Sequence, residues 1–345
     1  MHVSDPAASI LSDSPADLEA RGRGETLYLP EACYRMLAEE SLPLFALGLS
    51  DVSPALTFRL NLDDKAEIVD VEILRSLVHV ERLSYAEADE KAAEEELSPL
   101  FALADKLLAK RLASGAVSID LPETHISVLD GKISIEAVQV YRSSEMVREF
   151  MLVAGVAASR WAMRKRVPFP FVAQELGDLP SQSLEGYAGS YQLRRCMRPR
   201  RLSSQPGRHG GLGLEEYTQV TSPLRRYTDL LAHQQIRAFL KGGPLLSTDE
   251  VLLRVAAGEI AAQASVQAER ASRSHWTMVY LSEHKNSEWD AVVVERKGNR
   301  ATVLIPSLGL ETQLTVKGDP ALNEGIRLSL NSVRIPELLV TFSSI

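Results

Sequence analysis

Ala55 to Leu62 (ALTFRLNL) alternates apolar and polar residues with period two, which predicts a half-buried strand. A polar turn and a second strand, Ile68 to Leu74, follow. Before them, Met1 to Ala7 reads as the end of a buried strand, and Thr26 to Pro30 as a short extended run closed by proline. Tyr85 opens an acidic helical stretch reaching about Arg111. Strands are predicted at Val117 to Leu121 and His125 to Leu129, with Asp130-Gly131 as a turn before Ile133 to Val138. Met146, Val147, Phe150, Met151, Ala154, Ala157, Ala158 and Trp161 recur at helical spacing, so a long helix spans Ser144 to Arg166, ended by Pro168 and Pro170. Leu179 to Gly213 is polar, arginine-rich and punctuated by glycine. Helices then run from Ser222-Pro223 to Lys241, stopped by Gly242-Gly243-Pro244, and from Thr248 to Leu281.

After Asn286 the texture changes. Trp289–Glu295, Ala301–Ile305, Glu311–Val316, Ile326–Val333 and Leu338–Phe342 are short β-like runs separated by turn residues. Five strands in roughly sixty residues fit a small closed barrel of the OB kind. The chain is therefore expected to be α+β, with a large mixed domain over 1–285 and a five-stranded barrel over 287–345.

Composition narrows the class. Two distant cysteines, Cys33 and Cys196, exclude a disulfide scaffold or a Cys-rich zinc site and suit a reducing compartment. The longest apolar run, around Phe150 to Ala158, is too short to span a membrane. The N-terminus lacks the features of a signal peptide, so a cytoplasmic location and no membrane partner are expected. Net charge is −8, which argues against a protein that coats nucleic acid generally. Arginines nevertheless concentrate locally: Arg194, Arg195, Arg198, Arg200, Arg201, Arg208, Arg225 and Arg226. That stripe reads either as a channel for a polyanion or as a solvated arginine-rich loop.

In Thr221-Ser222-Pro223-Leu224-Arg225-Arg226, Ser222 suits an N-cap and Pro223 the first helical position. A helix N-terminus attracts anions, yet two arginines there oppose the helix dipole. A bound phosphate, held by a bidentate Arg225, would remove that conflict. The alternative is an ordinary capped helix whose arginines pair with local acids such as Asp229.

Gly207 to His233 (GRHGGLGLEEYTQVTSPLRRYTDLLAH) resembles the signature of the RNase II (RNB) exoribonuclease family: Gly-His before a glycine-leucine stretch, then Tyr, Thr-Ser-Pro, Arg-Arg-Tyr, Asp and His. Arg208 interrupts the Gly-His pair. Arg21–Pro30 (RGRGETLYLP), Leu74–Tyr85, Met146–Ala154 (MVREFMLVA) and Gln267–Arg270 (QAER) are similar to further family segments in the right order. The terminal barrel stands where the family carries its RNA-binding one. The resemblance implies an RNB fold, a mixed sheet wrapped by long helices. It also implies processive 3′→5′ hydrolysis of single-stranded RNA to nucleoside 5′-monophosphates with Mg²⁺, by a monomer. By the same resemblance Arg225 would stabilise the scissile phosphate and Glu269 would lie close to it. RNA contacts fall to Tyr28, Tyr85, Glu149, His209, Tyr217, Thr221, Ser222 and Arg226.

One departure limits this. The family's metal box, Asp, five residues, then Asp-x-Asp-Asp, has no match here. Asp5 looks like a family aspartate of the first strand; Asp63-Asp64, Asp13 and Asp17 have the wrong spacing and read as turn and loop residues. Arg148 stands where many relatives have a second glutamate. Two expectations follow: a portion of a longer enzyme whose upstream segment carries the metal ligands, or a non-catalytic relative that keeps the RNA channel.

Overall fold

The computed structural model describes residues 1–180, 184–316 and 318–345. In chain order come β1 (His2–Ser4), α1 (Pro15–Arg23), β2 (Leu27–Tyr28), β3 (Cys33–Tyr34), α2 (Leu42–Phe45), β4 (Ser53–Leu62), β5 (Ile68–Val78), α3 (Tyr85–Glu90) and α4 (Ser98–Ala113). Then follow β6 (Thr124–Leu129), β7 (Lys132–Ala137), α5 (Arg142–Lys165), β8 (Phe171–Ala173), α6 (Gly186–Cys196), β9 (Arg201–Ser203), α7 (Tyr227–Lys241) and α8 (Thr248–Glu283). Five strands close the chain: β10 (Glu288–Lys297), β11 (Arg300–Ile305), β12 (Leu310–Thr315), β13 (Gly325–Arg334) and β14 (Leu339–Ser344).

An antiparallel sheet in the order β1-β4-β5 supplies Val3, Leu56, Phe58, Val71 and Ile73 to the main core. Helix α5 packs on it through Ala154, Ala157, Ala158 and Trp161, and α7 through Ala232 and Ile236. The small residues of α5 let the helix approach closely. Opposite them, Leu152 and Val156 of α5 pack on Tyr217. A Cβ at Gly155 would meet the Thr218 carbonyl at 2.5 Å and the Tyr217 ring at 2.8 Å. A second core joins α1, α7 and α8 through Ala20, Leu230, Leu231, Val251 and Val255.

Strands β10 to β14 form one antiparallel sheet in the order β12-β11-β10-β13-β14, and β12 approaches β14 so that it nearly closes into a barrel. Met278 and Leu281, in the last turns of α8, plug into its core. Trp289 and Phe342 are both buried in that core. Three of its basic side chains are paired: Arg296 with Asp319, Lys297 with Glu295, and Arg327 with Glu288.

Several expected elements changed. Val117 to Leu121 is not a strand: Val117 N donates to the Gly211 carbonyl (3.0 Å) and Asp120 N to Ser190 Oγ (3.0 Å), so no ladder forms. The predicted helix from Tyr85 to Arg111 is two helices, because Pro99 starts a new one at the first turn of α4. The polar stretch after Leu179 contains α6 and β9, with 181–183 outside the described residues. Asp63 does sit in a turn, accepting from Lys65 N and Glu67 N, and Asp13 adopts a positive φ of 61°. Asp17, by contrast, is helical and fully buried, bonded to Arg21 (2.8 Å) and Gln234 (2.9 Å).

Replacing Gly155 with alanine forces a methyl group into the α5–Tyr217 contact. The expected loss is about 1–3 kcal/mol in urea unfolding; a change below about 0.5 kcal/mol, ordinary for an unstrained surface site, would contradict this packing.

Candidate functional site

The helix expected to start at Ser222 starts at Tyr227 instead, with Arg226 extended (φ −134°, ψ 128°) at its N-cap. Residues 222–226 form a tight turn in which the Ser222 carbonyl accepts from both Arg225 N (3.1 Å) and Arg226 N (3.0 Å). The reason lies across the chain. Thr26 N donates to the Arg225 carbonyl (3.0 Å) and Tyr227 N to the Gly24 carbonyl (2.8 Å), a β-bridge that holds Arg226 out of the helix. Gly24 can serve because its φ of 73° and the closeness of the Gly258 carbonyl leave no room for a side chain.

Asp229 fixes the turn from inside. Its fully buried carboxylate accepts from Ser222 N (2.7 Å) and, in a bidentate pair, from Arg226 Nε (2.9 Å) and Nη2 (2.8 Å). Asp229 stands in the first turn of α7, where an acid also favours the helix dipole. His233 donates from Nε2 to the Val220 carbonyl (2.7 Å) and pins the start of the loop. Arg226 is thus consumed by the fold. Arg225 is exposed, and among the described residues no carboxylate lies within ion-pair distance of its guanidinium.

Arg225 lines a cavity of about 300 Å³ with Ser4, Thr26, Tyr28, Arg35, Leu37, Leu42, Thr221, Ser222 and Leu224. Two guanidinium groups and five hydroxyl-bearing side chains, from Ser4, Thr26, Tyr28, Thr221 and Ser222, line it, and no carboxylate is among its lining residues. Such a set suits an oxyanion. Glu269 of α8 stands beside it, accepting from Tyr28 N (2.7 Å) and so fixing the β2–β3 hairpin. Burial, with Glu269 and Glu259 nearby, raises the Glu25 carboxyl above its ordinary value, while Arg200 and Arg225 pull it back. The cavity therefore brings together Tyr28, Thr221, Ser222 and Arg225, with Glu269 adjacent.

The other expected residues lie elsewhere. His209 packs edge-on against the Tyr217 ring, 5.8 Å between centroids. Burial pushes the Tyr217 hydroxyl up to about 12. Tyr85 sits at the first turn of α3 beside Tyr141. Glu149 is buried, its carboxylate taken in a bidentate pair by Arg111, whose Nη1 donates to the Leu212 carbonyl (3.0 Å). That pair borders a separate cavity of about 210 Å³. Sequence reasoning missed Arg111 and Arg35, since neither stands in a motif.

The arginine stripe is mostly neutralised. Arg194 pairs with Glu311 (2.5 Å), Arg195 with Glu295, Arg198 with Glu175 (3.3 Å), Arg200 with Glu259 (2.9 Å), Arg208 with Glu215 (3.6 Å) and Arg226 with Asp229. Arg201 and Arg225 remain outside ion pairs among the described residues. The first two pairs join α6 to the barrel, so part of the stripe is an interdomain clasp.

The residues present do not fit a magnesium site. Among the described residues no three His, Cys, Asp or Glu side chains converge as a metal-holding group. Glu269 and Glu259 are engaged as described, and hard Mg²⁺ needs several free carboxylate oxygens.

An α+β domain with an arginine-bearing cavity, joined to a five-stranded barrel, is the class that fold and site define. Residues 1–242 match the RNB domain, and residues 287–344 match the RNase II-type exonuclease C-terminal S1 domain. The chain belongs to the RNB-domain ribonuclease family and is RNase II/R-like. A Synechocystis protein described as an uncharacterized ribonuclease is 33% identical over 96% of this chain and 52% of its own length. The chloroplastic/mitochondrial ribonuclease II of Arabidopsis thaliana is 26% identical over 100% of this chain and 46% of its own. The chain spans about half the length of the curated relatives it matches. Mycoplasma genitalium RNase R, solved with ribose-methylated single-stranded RNA, superposes with a TM-score of 0.85 at 15% identity, covering 100% of this chain and 66% of that one. The Dss1 exoribonuclease of Candida glabrata gives 0.85 at 21%, covering 100% and 50%. These likenesses establish the fold.

Asp229→Ala would leave the Arg226 guanidinium and Ser222 N without their partner, and the expected cost is about 3–5 kcal/mol in chemical denaturation. Wild-type stability would show that the turn is held otherwise. Burial also lowers the His209 imidazole below its ordinary 6.5. As pH falls, the unfolded chain takes up the proton first. The contribution of neutral His209 is therefore complete above the ordinary value and is lost as pH drops toward the lowered folded one. His209→Gln should flatten the acid limb of the stability profile; an unchanged limb would contradict the assignment.

Proposed function

We propose that this chain supplies the RNA-holding side of an RNase II-type 3′→5′ exoribonuclease that releases nucleoside 5′-monophosphates from single-stranded RNA, divided into an RNB part over 1–285 and a barrel over 287–345. The observation that carries this reading is the cavity in which Arg225, exempt from the ion pairs that claim its neighbours, meets Tyr28, Thr221 and Ser222. In the folded loop Arg225 would bind the phosphate and, where charge develops on it, stabilise that charge. Tyr28, with its backbone held by Glu269, would contact the terminal nucleotides. The single-stranded RNA in a structural neighbour's complex supports the same ligand. The metal that the family implies would need oxygen ligands that the described residues do not group, so no hydrolytic step is assigned to residues of this chain.

A second reading is favoured by that same lack of a carboxylate group: a relative that binds RNA without hydrolysing it. Yeast Ssd1, described as a pseudonuclease, shares the fold with a TM-score of 0.72 at 17% identity, covering 91% of this chain and 45% of its own.

For the purified chain, fluorescence anisotropy with a labelled oligoribonucleotide should show salt-sensitive binding, with little or no magnesium-dependent release of mononucleotides. No binding at low salt would remove the RNA reading altogether, and robust release would show that metal ligands have been overlooked. In any preparation that does release mononucleotides, Arg225→Ala should cut turnover far more than affinity. Equal losses in both would contradict the phosphate role.

A further inference from the structure

Tyr85 and Tyr141 form a pair of nearly parallel rings, 26° between planes and 6.4 Å between centroids, on the surface where α3 and α5 begin. Tyr85 is 48% exposed, and the neighbouring Val140 is 76% exposed, so this aromatic pair is not core packing. Both rings stand on fixed backbone. The Asp89 carboxylate accepts from Arg142 N (2.9 Å) and Ser143 N (2.7 Å), capping α5. Ser143 Oγ donates to the Tyr85 carbonyl (2.9 Å), and the Tyr141 hydroxyl donates to Gln139 Oε1 (2.9 Å). Two helix starts are thus tied together, with Tyr85 exposed and Tyr141 half-buried beside it.

Arg148 stands in α5 seven residues beyond Tyr141, the N-cap of that helix, or about two helical turns on. Its side chain is 55% exposed, and its carboxylate contacts are long: 3.9 Å to Glu145 and 3.7 Å to Glu149. Glu149 is meanwhile occupied by Arg111 and buried, so Arg148 and Glu145 are the charged groups that this stretch of helix shows to solvent. Helical side chains lean toward the N-terminus, which carries the guanidinium back toward the tyrosines. Of the nearby acids, Asp89 is spent on capping α5 and Glu87 on the capping box with Ser84, while Glu145 stays exposed beside Arg148.

We infer that Tyr85, Tyr141 and Arg148 form a nucleotide subsite, in which the tyrosine faces stack a nucleobase and the guanidinium takes an adjacent phosphate. The inference rests on the RNA reading of the chain and deepens it by assigning two residues, Tyr141 and Arg148, to the contact surface. It also moves the polar contact in this stretch of α5 from Glu149 to Arg148. Stacking tolerates any base, so the subsite contributes affinity without sequence preference. A buried carboxylate bonded to Arg111 is poorly placed for that task; an exposed guanidinium about two helical turns from the aromatic pair is within reach of a phosphate next to the stacked base.

The test is titration of the whole chain with a single-stranded oligoribonucleotide carrying 2-aminopurine, at several salt concentrations. Tyr141→Ala should weaken binding about 5- to 100-fold and diminish the quenching of the stacked base, while leaving the salt slope unchanged. Tyr141→Phe should bind like the wild type, because only the ring face is used. Arg148→Ala should weaken binding and reduce the salt slope by about 0.7, one phosphate contact on a single strand; Arg148→Glu should weaken it further. Arg148 is exposed, so circular dichroism should show both of its variants folded. Wild-type affinity and quenching in Tyr141→Ala and Arg148→Glu, beside clear binding by the unmodified chain, would overturn the subsite alone. Failure of the unmodified chain to bind would overturn the RNA reading and the subsite with it.

Discussion

A carboxylate removed from water must have its lone pairs filled, and the way Asp229 meets that demand shapes the site. Its three hydrogen bonds bind the N–H of Ser222 at one end of the turn and the guanidinium of Arg226 at the other. Between those anchors stands Arg225, whose guanidinium makes no ion pair among the described residues. The bridge from residues 24–26 then closes the turn from outside and brings Tyr28 to the same cavity. One buried charge decides which of two adjacent arginines is structural and which faces the cavity.

The same division runs through the rest of the molecule. Most of its clustered arginines are matched by acids, and the pairs of Arg194 and Arg195 attach α6 to the barrel. Asn323 of the barrel completes that joint, bonding to the Glu185 carbonyl and Ala188 N (2.8 Å each). On the far side, Arg273 of α8 donates to the Thr124 carbonyl (3.1 Å) and steadies the β6–β7 hairpin against the barrel. Exposed ion pairs of this kind add little stability individually. Their larger effect is on charge: within the arginine-rich segment 194–226 they leave Arg201 and Arg225 as the arginines outside ion pairs among the described residues.

Much of the fold was legible because it rests on local patterns. The period-two run at Ala55–Leu62, the apolar face of α5, and the five short barrel strands all appear where hydrophobic spacing predicts them. Asp130-Gly131 forms the tight turn its chemistry suggests, with φ of 50° and 76°. What failed depended on distant partners. Ser222-Pro223 is a sound helix start by local rules, but hydrogen bonds to Gly24 and Thr26, some two hundred residues earlier, shift the helix to Tyr227. Glu149 carries no sign in its own segment that Arg111 will bury it. Of the two paired arginines, Arg226 takes the ion pair with Asp229 that local sequence allowed, and Arg225 makes none among the described residues.

The most direct test of the central claim is photo-crosslinking with a single-stranded RNA that carries 4-thiouridine at its 3′ end, read by mass spectrometry of the crosslinked peptides. The terminal residue should attach within the segments that contribute Tyr28 and Thr221 to Arg225. Crosslinks confined to the barrel strands β10 to β14, with none in those two segments, would contradict the assignment of the Arg225 cavity as the place where the RNA end is held.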